Sequence, residues 1–163
     1  MRNLTSTLCL TLAVLLGSAG TSWGAAFNKG VAAYDSFDFA TALREWTPLA
    51  EQGNALAQFR LGWMYVTGQG VLQDDKTGVK WYTFAAEQGN ADAQYSLGVM
   101  YVLGKGILQD DVYAHMWWNI AASNGYEDGS KMRDMYAKTM TPTQIEKAQD
   151  LARECIRKKY KEC

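Results

Sequence analysis

Apolar residues recur along this chain at helical spacing, and glycine-centred breaks interrupt them at a fixed interval. Ala57, Leu61, Met64 and Tyr65 follow i, i+4, i+7, i+8 and share one helix face. Gly68 and Gly70 break that helix, and Asp74 or Asp75 can restart it as an N-cap. Val79, Tyr82 and Ala86 then mark the apolar face of a second helix, with Gly78 and Trp81 beside it. Gly89-Asn90 stops that helix and opens the next, glycine supplying a left-handed stop and asparagine a cap. The same order follows with Ala93, Leu97, Met100 and Tyr101, then Ala114, Trp117, Trp118, Ala121 and Ala122. Set Ala55–Asn90 above Ala91–Tyr126 without a gap and 18 of 36 positions are identical. A period of this length predicts stacked units, each an αα-hairpin that cannot bury its apolar side alone.

The flanks extend the stack less regularly. Residues 25–54 read as a shortened, variant first pair, with Gly30, Ala33 and Tyr34 on one helix and Phe39, Ala42, Leu43 and Trp46 on the next. The string Leu49-Ala50-Glu51-Gln52-Gly53-Asn54 anticipates Ala85-Ala86-Glu87-Gln88-Gly89-Asn90. After Tyr126 the period fails. Met132, Met135 and Tyr136 suggest a helix to about Lys138. Thr141-Pro142-Thr143-Gln144 combines a capping box with proline at the first helical position. Ile145, Ala148, Ala152, Cys155 and Ile156 give the following helix its apolar stripe, while Arg153, Arg157 and Lys158 keep its other side wet. Residues 127–163 thus read as a terminal cap.

The first 24 residues read differently. Arg2 precedes an uncharged apolar run, Leu4–Gly17, and Ser22-Trp23-Gly24 fits a small-x-small cleavage rule. This pattern predicts a secretory signal, cut after Gly24 or alternatively Ala26, and places the protein in the periplasm or outside the cell. No other stretch is apolar enough to span a bilayer. Losing Arg2 takes the formal charge from −1 to −2. A balance so close to neutral argues against nucleic acid, which calls for a concentrated basic face. Lys158, Lys159 and Lys161 cluster near the end, where cations suit a helix C-terminus.

Of three cysteines, Cys9 falls in the signal segment and Cys155 and Cys163 remain. An even pair in an exported chain suggests a disulfide. Eight residues of helix would hold the Cα atoms about 12 Å apart, beyond the roughly 4.4–6.8 Å that a disulfide accepts. Either the last helix ends near Lys158 and the tail turns back, which is the preferred reading, or no bond forms within the chain.

The run Ala57-x-x-x-Leu61-Gly62-x-x-Tyr65-x-x-Gly68-x-Gly70-Val71-x-x-Asp74, followed by Trp81-Tyr82-x-x-Ala85-Ala86-x-x-Gly89, resembles the Sel1-like repeat (SLR) family, relatives of the tetratricopeptide repeats. It returns with Ile107 for Val71 and Trp118 for Tyr82. The resemblance is strong over 55–126 and weak over 27–54. It implies an all-α, right-handed α/α solenoid of helix-turn-helix repeats with a C-terminal capping helix, used for protein–protein contact. One branch of the family ties its repeats together with disulfides; here the repeats contain no cysteine.

By resemblance to tetratricopeptide repeats, a second apolar row on the first helix of each unit lines a concave groove. The row is Leu56, Phe59, Trp63 and Val66, then Asp92, Tyr95, Val99 and Val102 with Leu103 beside it. Its large aromatics could anchor a peptide or helix, or Phe59 and Trp63 could simply pack on neighbouring helices. The expected partner is a protein or peptide segment. Alternatives are a regulatory or accessory role beside an envelope enzyme, or association with peptidoglycan or other carbohydrate.

Catalysis is not expected. Gly68-Gln69-Gly70 and Gly104-Lys105-Gly106 follow helices and lack the strand that precedes a phosphate loop. Asp74-Asp75 and Asp110-Asp111 fall short of a calcium ligand set and read as caps. His115, the only histidine, has no partners for a zinc site or a triad and reads as structural. No serine has lysine three residues on, as the serine β-lactam enzymes require. Neither a metal nor a cofactor is expected.

Overall fold

The turns between helices are built from the residues the repeat predicts. Gly53 and Gly89 take φ of 92° and 83°, a region open to glycine at no steric cost, and so end the preceding helix. The side chains of Asn54 and Asn90 then accept hydrogen bonds from the backbone N–H of Ala57 and Ala93, at 2.9 and 2.8 Å. Within each repeat the carboxylate of Asp74 or Asp110 caps the second helix. Asp74 Oδ1 accepts from the N–H of Lys76 and Thr77, Asp110 Oδ1 from Val112 and Tyr113. Hydrogen bonds from Thr77 hold the Asp74 carboxyl below its ordinary range.

The computed structural model describes residues 23–163. The expected signal segment lies outside the described residues, except for Trp23 and Gly24. The helices are α1 (23–35), α2 (Phe39–Glu51), α3 (Ala55–Thr67), α4 (Asp75–Ala86), α5 (Ala91–Leu103), α6 (Asp111–Ser123), α7 (Glu127–Ala137) and α8 (Pro142–Arg157). From α2 to α7 each packs on the next in chain order, as a solenoid requires. The exception is the end of the stack, where α7 and α8 both lie against α6 and make little contact with each other.

One packing device repeats three times. A glycine on the first helix of a pair lets an aromatic ring on the second come against the backbone. A Cβ at Gly98 would stand 2.4 Å from the Trp118 ring, at Gly62 2.5 Å from Tyr82, and at Gly30 2.3 Å from Trp46. Where the ring is tryptophan, its indole N–H donates to the carbonyl three residues before the glycine. Trp118 bonds Tyr95 at 3.2 Å and Trp46 bonds Phe27 at 3.1 Å. The pair α1–α2 is therefore a unit of the same geometry as its successors. Gly30 and Trp46 stand four residues closer in sequence than Gly62 and Tyr82, because a short turn replaces the Gly-x-Gly loop.

Polar bonds along one edge bind the units together. Gln58 and Gln94, both buried, donate to the carbonyls of Ala50 and Ala86 at the end of the preceding unit. Their amide oxygens accept from Gln88 and Asn124 at the end of their own unit, at 2.7 and 2.8 Å. Tyr160 closes the series, its hydroxyl donating to Asn124 Oδ1 at 2.9 Å.

Tyr160 reaches that place because the chain doubles back. The α8 helix opens with the Thr141–Gln144 capping box and ends at Arg157. Lys159, Tyr160 and Glu162 then take φ of 54°, 65° and 53°, which brings Cys163 to 5.3 Å from Cys155, Cα to Cα, in a disulfide. Ala148, Ala152 and Cys155 on α8 are buried. Ile156, expected on the same stripe, is instead exposed, and Leu151 is the apolar residue that packs against the core cluster. Cys163→Ser, read by urea unfolding, should cost about 2–3 kcal/mol, because the closed loop no longer restricts the unfolded chain. Tyr160→Phe with the disulfide intact should cost about 1 kcal/mol, the worth of one hydrogen bond.

Candidate binding groove

The helices α3 and α5 both pack on α4 at the junction of the two full repeats. Between them is a cleft of about 220 Å³. Trp63 and Val66 from α3 form one wall, Tyr95, Ser96 and Val99 from α5 the other, and Tyr82 and Met100 the base. The lining is mostly apolar. At this size the cleft is smaller than a typical small-molecule site and suits one large side chain presented by another chain.

Trp63 is fixed in place although 42% of it is exposed. Its indole N–H donates to the hydroxyl of Tyr34 on α1 at 2.9 Å, and that hydroxyl donates to Gln69 Oε1. A large ring with one apolar face open and its polar edge already satisfied loses little freedom on binding a partner. At the base, burial pushes the Tyr82 phenol up, with Ser96 beside it acting in the opposite direction, so this ring presents a neutral hydroxyl.

The structure divides the residues of the expected row. Trp63, Val66, Tyr95 and Val99 come together in the cleft. Phe59 does not line it: its ring stacks on Tyr82, centroids 5.8 Å apart, and supports the base from within. Leu56 and Leu103 are each about half exposed and outside the cleft. Asp92 is exposed at the end of the face near Tyr126, whose phenol is raised first by burial and then by the Asp92 charge. Val102 is half-buried and outside the cleft as well. The junction takes the last two members of the α3 row and the middle two of the α5 row, because the two helices present different turns to it. Ser96, Tyr82 and Met100 were not in the expected row. They face the cleft from a neighbouring turn or from the partner helix, which no single-helix periodicity encodes.

The other candidates take structural places. Gly68 and Gly104 are the left-handed C-caps of α3 and α5. Both aspartate pairs lie at helix starts, with Asp74 and Asp110 as the caps. Among the described residues no group of three or more His, Cys, Asp or Glu side chains is placed to hold a metal ion. No helix among them is long and apolar enough to cross a membrane. His115 is 2% exposed, between α6, α7 and α8. Burial first, and the Arg133 charge second, hold its pKa below the ordinary 6.5, so the ring is neutral at pH 7.

The model of the Sel1 repeat matches residues 55–90 and 91–126, the same two units that the internal alignment delimits. Two solved structures are similar over much of the chain. One is c5321, a protective antigen present in uropathogenic Escherichia coli strains that displays an SLR fold. It is 30% identical, with a TM-score of 0.80 over 86% of this chain and 31% of that one. The other is a Sel1 repeat protein from Oxalobacter formigenes, 31% identical, with a TM-score of 0.63 over 66% of this chain and 44% of that one. The chain thus spans less than half the length of either. No curated protein matches it in sequence.

Proposed function

The chain is a Sel1-repeat protein with the SLR solenoid fold, and on that premise we propose that it is a non-enzymatic scaffold of the bacterial envelope that binds a peptide or protein segment in the α3–α5 cleft. Sel1-repeat folds generally mediate protein–protein interaction, and the comparisons indicate no enzyme family. One observation carries the reading. The two repeats agree at the glycines and aspartates that build the turns, yet Trp63, Tyr82, Tyr95, Ser96 and Val99 of the cleft lining each have a different residue at the equivalent position of the other repeat, while Val66 and Met100 keep theirs. Trp63 stands opposite Val99 in the alignment and Phe59 opposite Tyr95. The result is an asymmetric apolar site at the junction, walled by a rigid, half-exposed tryptophan. Such a site anchors a large side chain of an extended or helical segment, by shape and apolar complementarity on a preformed surface.

Placement in the envelope draws support from the charge and apolar pattern of residues 1–24 and from the Cys155–Cys163 disulfide, a bond that persists in oxidising compartments. The test is selection of displayed peptides on the wild-type protein, counter-selected on Val99→Arg. Peptides carrying a recurrent large apolar anchor, bound by the wild type and not by the variant, support the reading. Peptides bound equally by both place recognition elsewhere and overturn it.

A further inference from the structure

A second cleft, separate from the groove, lies where the stack ends. The first helices of successive units begin at Ala55, Ala91 and Glu127, a constant 36 residues apart, so α7 occupies the place of a third first helix. Its residues do not continue the core. Leu61 and Leu97, each 1% exposed, are followed at the next equivalent position by Arg133, and Gly62 and Gly98 by Asp134. On the second helices, Val79 is followed by His115 and Thr83 by Asn119. Val79 and Leu97 belong to one hydrophobic core cluster. Their successors, His115 and Arg133, instead line a cleft of about 410 Å³ that opens because α7 and α8 splay apart over α6. The volume falls within the range of ligand sites.

The imidazole of His115 forms the floor. Its Nδ1 is, among the described residues, the buried side-chain nitrogen or oxygen left without a hydrogen-bond partner. Such a group costs stability where an apolar side chain would not, and Val79 shows that valine fills the equivalent position one repeat earlier. Stability alone therefore gives no reason for a histidine here.

The walls carry a surplus of donors. Arg133 donates through Nη1 to Asn119 Oδ1 at 3.0 Å, and through Nε to Asp134 Oδ1 at 2.8 Å. Its Nη2 also lies 2.8 Å from Asp134 Oδ1. Those bonds fix the guanidinium plane and leave part of its five-donor fork unused. Arg153, from α8, pairs through Nη2 with Asp150 and leaves the rest of its fork free. The amide groups of Asn119 and Gln149 add further N–H donors. Asp134 is the one carboxylate among the lining residues, and Arg133 already holds it. Each guanidinium keeps one carboxylate partner, Arg133 with Asp134 and Arg153 with Asp150, so the cleft offers an anion unused N–H donors rather than excess charge, and planar forks suit a planar, two-oxygen acceptor.

From the replaced core positions and this donor surplus, we propose that the cleft between α7 and α8 is a carboxylate-binding site, taking the free carboxylate of a peptide C-terminus or of a small organic acid. The carboxylate lies between Arg153 and the open side of Arg133, with His115 beneath it as a neutral floor. Because His115 is the only histidine, its ring resonances report on this cleft alone.

The experiment is an NMR titration of those resonances in the folded, disulfide-bonded protein. Four probes are compared at constant ionic strength: sodium acetate, trialanine as the free acid, trialanine C-terminal amide, and sodium chloride. Acetate and the free acid should produce saturable shifts that the amide and chloride do not. Arg153→Gln, at an exposed position, should weaken that binding about tenfold, the worth of one charge-assisted hydrogen bond, with an unchanged melting temperature. Tighter binding of the tripeptide acid than of acetate assigns the site to a chain end; equal affinity assigns it to small acids. Ring signals that do not move, or that respond equally to acid and amide, overturn the proposal. Because the groove lies at α3 and α5, peptide selection there succeeds or fails independently of this result.

Discussion

Trp118→Ala should lower the free energy of unfolding by about 3–5 kcal/mol, the usual cost of deleting a buried tryptophan. Few substitutions in this chain should cost more. Trp118 is completely buried. One edge of its ring fills the space left by Gly98, its N–H satisfies the Tyr95 carbonyl, and its other side meets Tyr136 with centroids 4.9 Å apart. The ring therefore joins α5, α6 and α7, and removing it loosens both the second repeat and the end of the stack. Leu72→Ala is the control. That leucine is 91% exposed in the α3–α4 turn, and its loss should change stability by less than about 0.5 kcal/mol. Urea denaturation of both variants checks the pair. A cost below about 1 kcal/mol for Trp118→Ala would mean that the ring is not the joint between units.

Trp63→Ala should act in the opposite proportion. Binding of a groove-selected peptide should weaken at least about 30-fold, corresponding to a hot-spot loss of about 2 kcal/mol or more. Stability should fall by only about 1–2 kcal/mol, since nearly half of the ring is already in water and one hydrogen bond, to Tyr34, is lost. Trp63→Phe separates the contributions by keeping most of the apolar face and removing the N–H. It should retain most of the affinity, because the indole N–H points to Tyr34 and is not offered to a ligand. Fluorescence titration and thermal melts on the same samples read both quantities. A stability loss for Trp63→Ala as large as that for Trp118→Ala would make the residue part of the core and remove the argument for a binding wall.

What the sequence made legible is what short-range chemistry decides. Gly53-Asn54 and Gly89-Asn90 specify a stop and a start within two residues, and Thr141 to Gln144 does the same for α8. The 36-residue period shows that such hairpins stack, and the close fit of Gly98 to Trp118 follows from having one small and one large residue at matching places. Features decided by how helices meet were not legible. Gln58 and Gln94 look like ordinary surface amides until stacking brings the Ala50 and Ala86 carbonyls to them. Periodicity marked a groove row from Leu56 to Val66, yet the junction selects only Trp63 and Val66 from it and recruits Ser96 and Met100 from α5. The cleft at the end of the stack was the hardest to foresee. The internal repeat fades after Tyr126, so Arg133 and Asp134 reveal themselves as substitutes for Leu97 and Gly98 only once α7 is seen in the place of α5.

The groove itself is tested most directly by mapping a selected peptide on the protein by NMR. If the α3–α5 cleft is the binding site, the largest perturbations on adding the peptide will fall on the Trp63 indole N–H and on Tyr95, Ser96 and Val99, with α8 unaffected. Perturbations confined to the Leu72 and Leu108 turns or to α8, with the Trp63 indole unmoved, would contradict it.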